Sequence, residues 1–148
     1  MPFKPKHILV PTDESSNAEA ALNTAVTIAQ QTDADISLLE VVAPMYSAPE
    51  YPLEDVSAQL QQRADGYLKR LTKSVADQTG FTNIKTTVIH DAPKPTIAKY
   101  FPEQHDIDLI VIGATGTNAF ERAILGSTTG YVVREAVVDV LVVKDEAN

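Results

Sequence analysis

The sequence predicts an α/β fold: one doubly wound, three-layer domain with a five-stranded parallel sheet and helices on both faces. Three observations predict it. Apolar runs of strand length alternate with amphipathic stretches of helical spacing, the rhythm of βαβ units. The runs Ile8-Leu9-Val10 and Leu109-Ile110-Val111-Ile112 are continuously apolar, as strands covered on both faces are. They end in turn chemistry, Pro11-Thr12-Asp13 after the first and Gly113-Ala114-Thr115-Gly116 after the second.

The elements follow in order. His7-Ile8-Leu9-Val10 is the first strand. Ser16-Asn17-Ala18-Glu19 then has capping-box spacing, and Ala18, Ala21, Leu22, Ala25, Val26 and Ala29 line one face of a helix running to about Gln31. Ile36 to Val42 is the second strand. Pro44, Pro49 and Pro52, with Tyr46 and Tyr51, make a connecting loop over 44–52 that supports neither helix nor ladder. From Leu53 to about Thr79 the positions Val56, Leu60, Ala64, Tyr67, Leu68, Leu71 and Val75 keep helical spacing, and Gly80 is the stop. Ile84 to Ile89 is the third strand. His90-Asp91-Ala92-Pro93-Lys94-Pro95 leads into a short helix through Ile97, Ala98, Tyr100 and Phe101. Asp108 to Ile112 is the fourth strand. A helix from about Ser127 to Ala136 is expected to turn Val132, Val133 and Ala136 inward, ahead of a fifth strand over Val138–Val143.

A chain of 148 residues suits one domain, 1–148, and buries roughly 70% of its accessible surface at about this size. The absence of cysteine excludes disulfides, thiolate metal sites and cysteine nucleophiles. The apolar run behind the basic start stops at Pro11, far short of a signal-peptide core, and no stretch approaches the roughly 20 apolar residues of a membrane span. A cytoplasmic, non-membrane protein is expected. A net charge of −8, with no basic run beyond isolated pairs such as Lys69-Arg70, argues against nucleic acid as a partner.

In an open parallel sheet the ligand crevice lies beyond the carboxyl ends of strands where the strand order reverses. The loops after the first and fourth strands carry suitable chemistry and converge if those strands are neighbours. Glycine lets backbone N–H groups approach an anion, and Gly126-Ser127-Thr128-Thr129 offers hydroxyls at the positive end of a helix. No Gly-Lys-Ser/Thr P-loop and no G-x-G-x-x-G fingerprint is present. Taken separately, Gly113 and Gly116 read more simply as turn residues and Gly126-Ser127 as a plain helix start.

The combined spacing Gly113-x2-Gly116-x9-Gly126-Ser127 resembles the ATP-binding signature of the universal stress protein family. The resemblance covers nearly the whole chain, including Ile8-Leu9-Val10-Pro11-Thr12-Asp13-x-Ser15 and Glu121-Arg122-Ala123-Ile124-Leu125-Gly126-Ser127. Val138-Asp139-Val140 replaces the Cys-Pro-Val usual at the last strand. The resemblance implies the strand order 3-2-1-4-5 and a homodimer formed through the last strand. It implies that Gly113, Gly116, Gly126, Ser127, Thr128 and Thr129, beside Ile112, hold the phosphates of ATP. It also places Asp13, with the main chain of Pro11 and Thr12, near the ribose or a bound Mg²⁺, and the Val41 backbone at the adenine edge. Relatives often carry Arg or Lys in the glycine loop; here Thr115 and Thr117 stand there, leaving Arg122 as the nearby cation.

Other chemistry finds little support. His7, His90 and His105 read as surface or capping residues without metal-site spacing, and no G-x-S-x-G elbow supports a serine hydrolase. Asp13 reads equally as a turn residue or a catalytic carboxylate, and Glu40 and Asp139 as strand-end or edge charges. Three functions stay open. The first is an ATP-binding stress-response regulator in which nucleotide modulates the dimer or a partner surface. The second is a slow Mg²⁺-dependent ATP hydrolase or phosphoryl-transfer protein, and the third a dimeric scaffold that binds no nucleotide.

Overall fold

The computed structural model describes residues 3–44, 53–115 and 125–145; Gly116, Thr117, Arg122 and the Pro/Tyr loop beyond Pro44 lie outside them. Five strands, β1 (His7–Pro11), β2 (Asp35–Val42), β3 (Ile84–His90), β4 (Leu109–Gly113) and β5 (Asp139–Val143), form one parallel sheet in the order β3-β2-β1-β4-β5. The expected order is therefore observed.

Strand alternation sorts side chains onto two faces. On one face Ile8, Val10, Ile36, Leu38, Leu109 and Val111 meet α1 (Ser16–Thr32) and α2 (Leu53–Thr79). On the other, Leu9, Leu39, Ile110 and Ile112 meet Ile97, Ala98 and Phe101 of the segment 93–104, and Val132 of α5 (Ser127–Glu135). Full burial of each large aliphatic side chain is worth about 1.5–3 kcal/mol relative to exposure. At the start of the sheet the Asp108 carboxylate accepts the N–H groups of Lys6 (2.9 Å) and His7 (3.1 Å), tying β1 to β4.

Helix α1 starts one residue earlier than a capping box at Ser16 requires. Glu14 takes a left-handed φ of 68°, Ser15 is extended, and the Ser15 hydroxyl accepts the Ala18 N–H at 3.2 Å, so Ser15 is the cap. The buried face is rich in alanine, and these small side chains let the helix lie close to the sheet. At its first turn the approach is closest: a Cβ on Gly113 would stand 2.7 Å from the carbonyl carbon of Asn17.

The segment 93–104 comprises α3 (Pro93–Pro95), a π-helical turn (Thr96–Tyr100) and α4 (Phe101–Gln104). Pro102 has no N–H to offer the carbonyl of Ala98, four residues back. That acceptor is taken instead by the Val137 N–H at 3.2 Å, which docks the chain after α5 onto this segment.

Two side-chain expectations are corrected. Val133 is 46% exposed, because the short α5 buries Thr129 and Val132 and leaves Val133 on its outer side. Glu40 is not an edge charge: β2 lies between β1 and β3, and the side chain is half-buried under α2. Val138 precedes β5, whose alternate residues Val140 and Val142 join Val138 in packing against the second face while Leu141 stays 38% exposed.

Candidate functional site

The strand order reverses between β1 and β4, and there the two loops singled out in the sequence meet. The register pairs Ile8 with Leu109 and Leu9 with Ile110. Carried onward, it sets Pro11 level with Ile112 and Thr12 level with Gly113.

Pro11 and Ile112 are buried at the floor of this junction, whereas Asp13 is exposed at its mouth. The Asp13 carboxylate accepts the Ser15 N–H at 3.0 Å, and the Thr12 hydroxyl accepts the Glu14 N–H at 3.0 Å. These two short turns fix the loop that leads into α1. They require short oxygen-bearing side chains, which Thr12 and Asp13 supply, while the Ser15 hydroxyl is left to cap α1.

Val41 sits where the sheet edge steps. The β1–β2 ladder ends with the Thr12 N–H donating to the Leu39 carbonyl at 2.8 Å, while β2 continues beside β3 to Val42. In a parallel sheet alternate residues direct their backbone groups to the same neighbour. Leu39 faces β1, so Val41 directs its N–H and C=O to the same side, beyond the point where β1 has turned away.

Across the junction, Gly113 ends β4 and the Ala114 N–H donates to the Val143 carbonyl at 2.8 Å. The Gly126 N–H returns to the Ala114 carbonyl at 2.9 Å, which puts the start of α5 beside the end of β4. Gly126 is the α5 cap residue, and among the described residues no side chain caps the first turn, whose N–H groups suit an outside acceptor. Ser127 is exposed and Thr128 half-buried. Thr129 differs from both: it is 5% exposed, and its hydroxyl donates to the Gly113 carbonyl at 2.7 Å. Its proton is committed to the fold. Gly113 likewise has a packing role, since its missing side chain admits α1.

A carboxylate group missed in the sequence borders the Asp13 loop. The Glu40 pKa is pushed up to about 8, first by burial, then by the hydrogen bond and charge of Glu14 and by Asp13, with Arg63 opposing. One Glu40 oxygen is buried without a partner, and Arg63 lies 3.8 Å from Glu14. Near this group Tyr67 donates to Glu19 at 3.1 Å, and burial raises the Tyr67 phenol pKa. The sequence signal was slight: Glu40 interrupts the apolar second half of β2.

The histidines play other parts. His7 pairs with Asp35 at 2.8 Å, His90 with Gln61 at 2.9 Å, and His105 stacks on Phe101. Among the described residues no group of three or more His, Asp or Glu side chains could hold a metal ion. None of the described helices is long and apolar enough to cross a membrane.

A sequence model of the universal stress protein family matches residues 4–144. The chain belongs to the universal stress protein family. This universal stress protein is 37% identical over 145 residues to a putative universal stress protein of Staphylococcus haemolyticus, a match spanning 95% of this chain and 86% of that one. The structure of the universal stress protein UspA from Lactobacillus plantarum is similar with a TM-score of 0.81 and 39% identity, over 96% of this chain and 99% of that one. More distant members share the fold. A universal stress protein in complex with cAMP has a TM-score of 0.73 at 22% identity, over 95% of this chain and 98% of its own. A family member from Arabidopsis thaliana with AMP bound has a TM-score of 0.68 at 17% identity, over 97% and 94%.

Proposed function

We propose that this universal stress protein binds ATP at the junction of β1 and β4 and acts as a stress-response regulator, in which occupancy modulates a dimer or a partner surface. The observation that carries the reading is the return of Gly126 to Ala114, which sets the open N-terminus of α5 against the strand-order reversal. An anion there meets backbone N–H groups and the positive end of the helix. In this reading Gly113, Gly116, Gly126, Ser127 and Thr128 surround the phosphates, and Thr129 contributes through its backbone while its hydroxyl holds Gly113. The backbone edge of Val41 suits an adenine, and Pro11 and Thr12 line the space between. The nucleotides named for the cAMP and AMP complexes of distant relatives are of the same chemical class.

The residues present fit a nucleotide better than a protein-held cation. Asp13 is a single exposed carboxylate, suited to Mg²⁺ only when the phosphates supply further oxygens. The reading is one of binding rather than dedicated turnover, with the cytoplasm as the setting that the family resemblance implies. Isothermal titration with ATP, with and without Mg²⁺, tests this: saturable binding that weakens in Gly126→Val supports it, and no heat at millimolar ATP overturns it.

A homodimer through β5 belongs to the same reading. On one side β5 has β4 as neighbour and on the other it is the sheet edge, with Leu141 exposed there and Val137 exposed just before it. Native mass spectrometry reports the oligomer and any co-purified nucleotide together.

A further inference from the structure

We propose that Asn17 is the positioning residue of the candidate nucleotide loop, its side-chain amide holding Thr115 on one side and the exit of β5 on the other. This inference rests on the nucleotide reading for its functional part, and on hydrogen bonds alone for its structural part.

Asn17 lies in the first turn of α1 and is 8% exposed, unusual for an amide on a face otherwise built of alanine, leucine and valine. Its Nδ2 donates to the Thr115 hydroxyl at 2.8 Å. Its Oδ1 accepts the Asp145 N–H at 2.8 Å. Its backbone is pressed against Gly113. One residue therefore touches the end of β4, the beginning of the loop beyond it and the chain leaving β5.

The contacts are directional, and that separates positioning from filling. An alanine or leucine at 17 would complete the apolar face as well as its neighbours do. The planar amide offers a donor to one segment and an acceptor to the other, which no apolar side chain does. Thr115 stands two residues beyond the end of β4, so its bond to Asn17 fixes the backbone that follows Gly113. Asp145 follows the strand expected to form the dimer. A shift of the α1 first turn would be felt at both places.

Amide exchange and ATP titration on the full-length protein test the proposal. In Asn17→Ala the amides of Ala114, Gly126 and Asp145 are expected to exchange at least about tenfold faster, as local opening of a held segment does, while those of Leu9 and Leu38 keep their rates. Asn17→Asp, which retains the acceptor for Asp145 and can accept from the Thr115 hydroxyl, should restore protection. Thr115→Val removes one contact without touching the helix, and keeps the test open if Asn17→Ala fails to fold. Unchanged exchange in both Asn17→Ala and Thr115→Val overturns the proposal. For ATP, a loss of about tenfold or more in affinity in Thr115→Val, with no further loss in the double variant Asn17→Ala/Thr115→Val, is the expected result. Faster exchange with unaltered ATP affinity would reduce Asn17 to a purely structural residue and overturn its positioning role. If the parent protein binds no ATP, the nucleotide reading falls and the functional part of this proposal falls with it, while the exchange data decide the structural part separately.

Discussion

The Thr129 hydroxyl donates to the carbonyl of Gly113 across 2.7 Å of buried space, joining the first turn of α5 to the last residue of β4. Removal of the donor leaves that acceptor without its bond. Thr129→Val is expected to lower stability by about 1–3 kcal/mol and Thr129→Ser by clearly less, because serine keeps the O–H. Urea unfolding of the three proteins checks the order; equal losses in both variants would assign the effect to packing instead.

Gly113 and Gly80 are both needed, for opposite reasons. Around Gly80 nothing lies within 4 Å of an added Cβ, but its φ is +78°, whereas at Gly113 a Cβ would come within 2.7–2.9 Å of Asn17 atoms. Gly113→Ala should cost about 1–3 kcal/mol through overpacking. Gly80→Ala should cost roughly 1–2 kcal/mol through left-handed strain, and Gly80→Asn less, because asparagine visits that region more readily. Denaturant midpoints that ranked Gly80→Asn below Gly113→Ala would contradict this division.

The carboxyl of Glu40 gives stability a pH dependence of a definite sign. Its pKa is raised from 4.5 to about 8 in the folded chain, so between these values the folded state holds a proton that the unfolded state releases. Stability from this group is full below about 4.5 and falls as pH rises through about 8. Glu40→Gln should therefore match the parent near pH 4 and exceed it near pH 8.5, in melting temperature measured across that range. A constant difference at all pH values would place the proton elsewhere.

At the sheet edge, Leu141 is exposed on β5 and points away from the side where Val140 and Val142 pack. Leu141→Lys should leave the melting temperature of a dilute sample within a few degrees and shift the protein toward monomer in analytical ultracentrifugation. Charged edge residues oppose pairing between strands. An unaltered sedimentation profile would rule out the proposed dimer contact at β5.

Periodicity carried the fold. The apolar runs and the alanine and leucine faces of α1 and α2 depend on spacing alone, and the structure has every strand and long helix within a residue or two of where that spacing puts them. What periodicity could not express was contact between distant segments. Ser15 became the α1 cap because Glu14 turns left-handed above Thr12, and Glu40 became half-buried because α2 crosses β2. The resemblance implies a phosphate-holding Thr129, whereas its hydroxyl donates to the Gly113 carbonyl. Asn17 had a faint signature, an amide placed at i and i+4 spacing with Ala21 and Ala25 on the buried face. Its meaning depended on where Thr115 and Asp145 arrive, which no local pattern encodes.

The hydrogen bond from the Gly126 N–H to the Ala114 carbonyl has a consequence for how such a chain can be altered. It ties the start of α5 to the end of β4 at one point, so the frame of the site is fastened by residues on either side of the sequence between them. Closing a longer loop costs only slowly more entropy. A change in the length of that sequence is therefore expected to leave β4 and α5 fastened to each other.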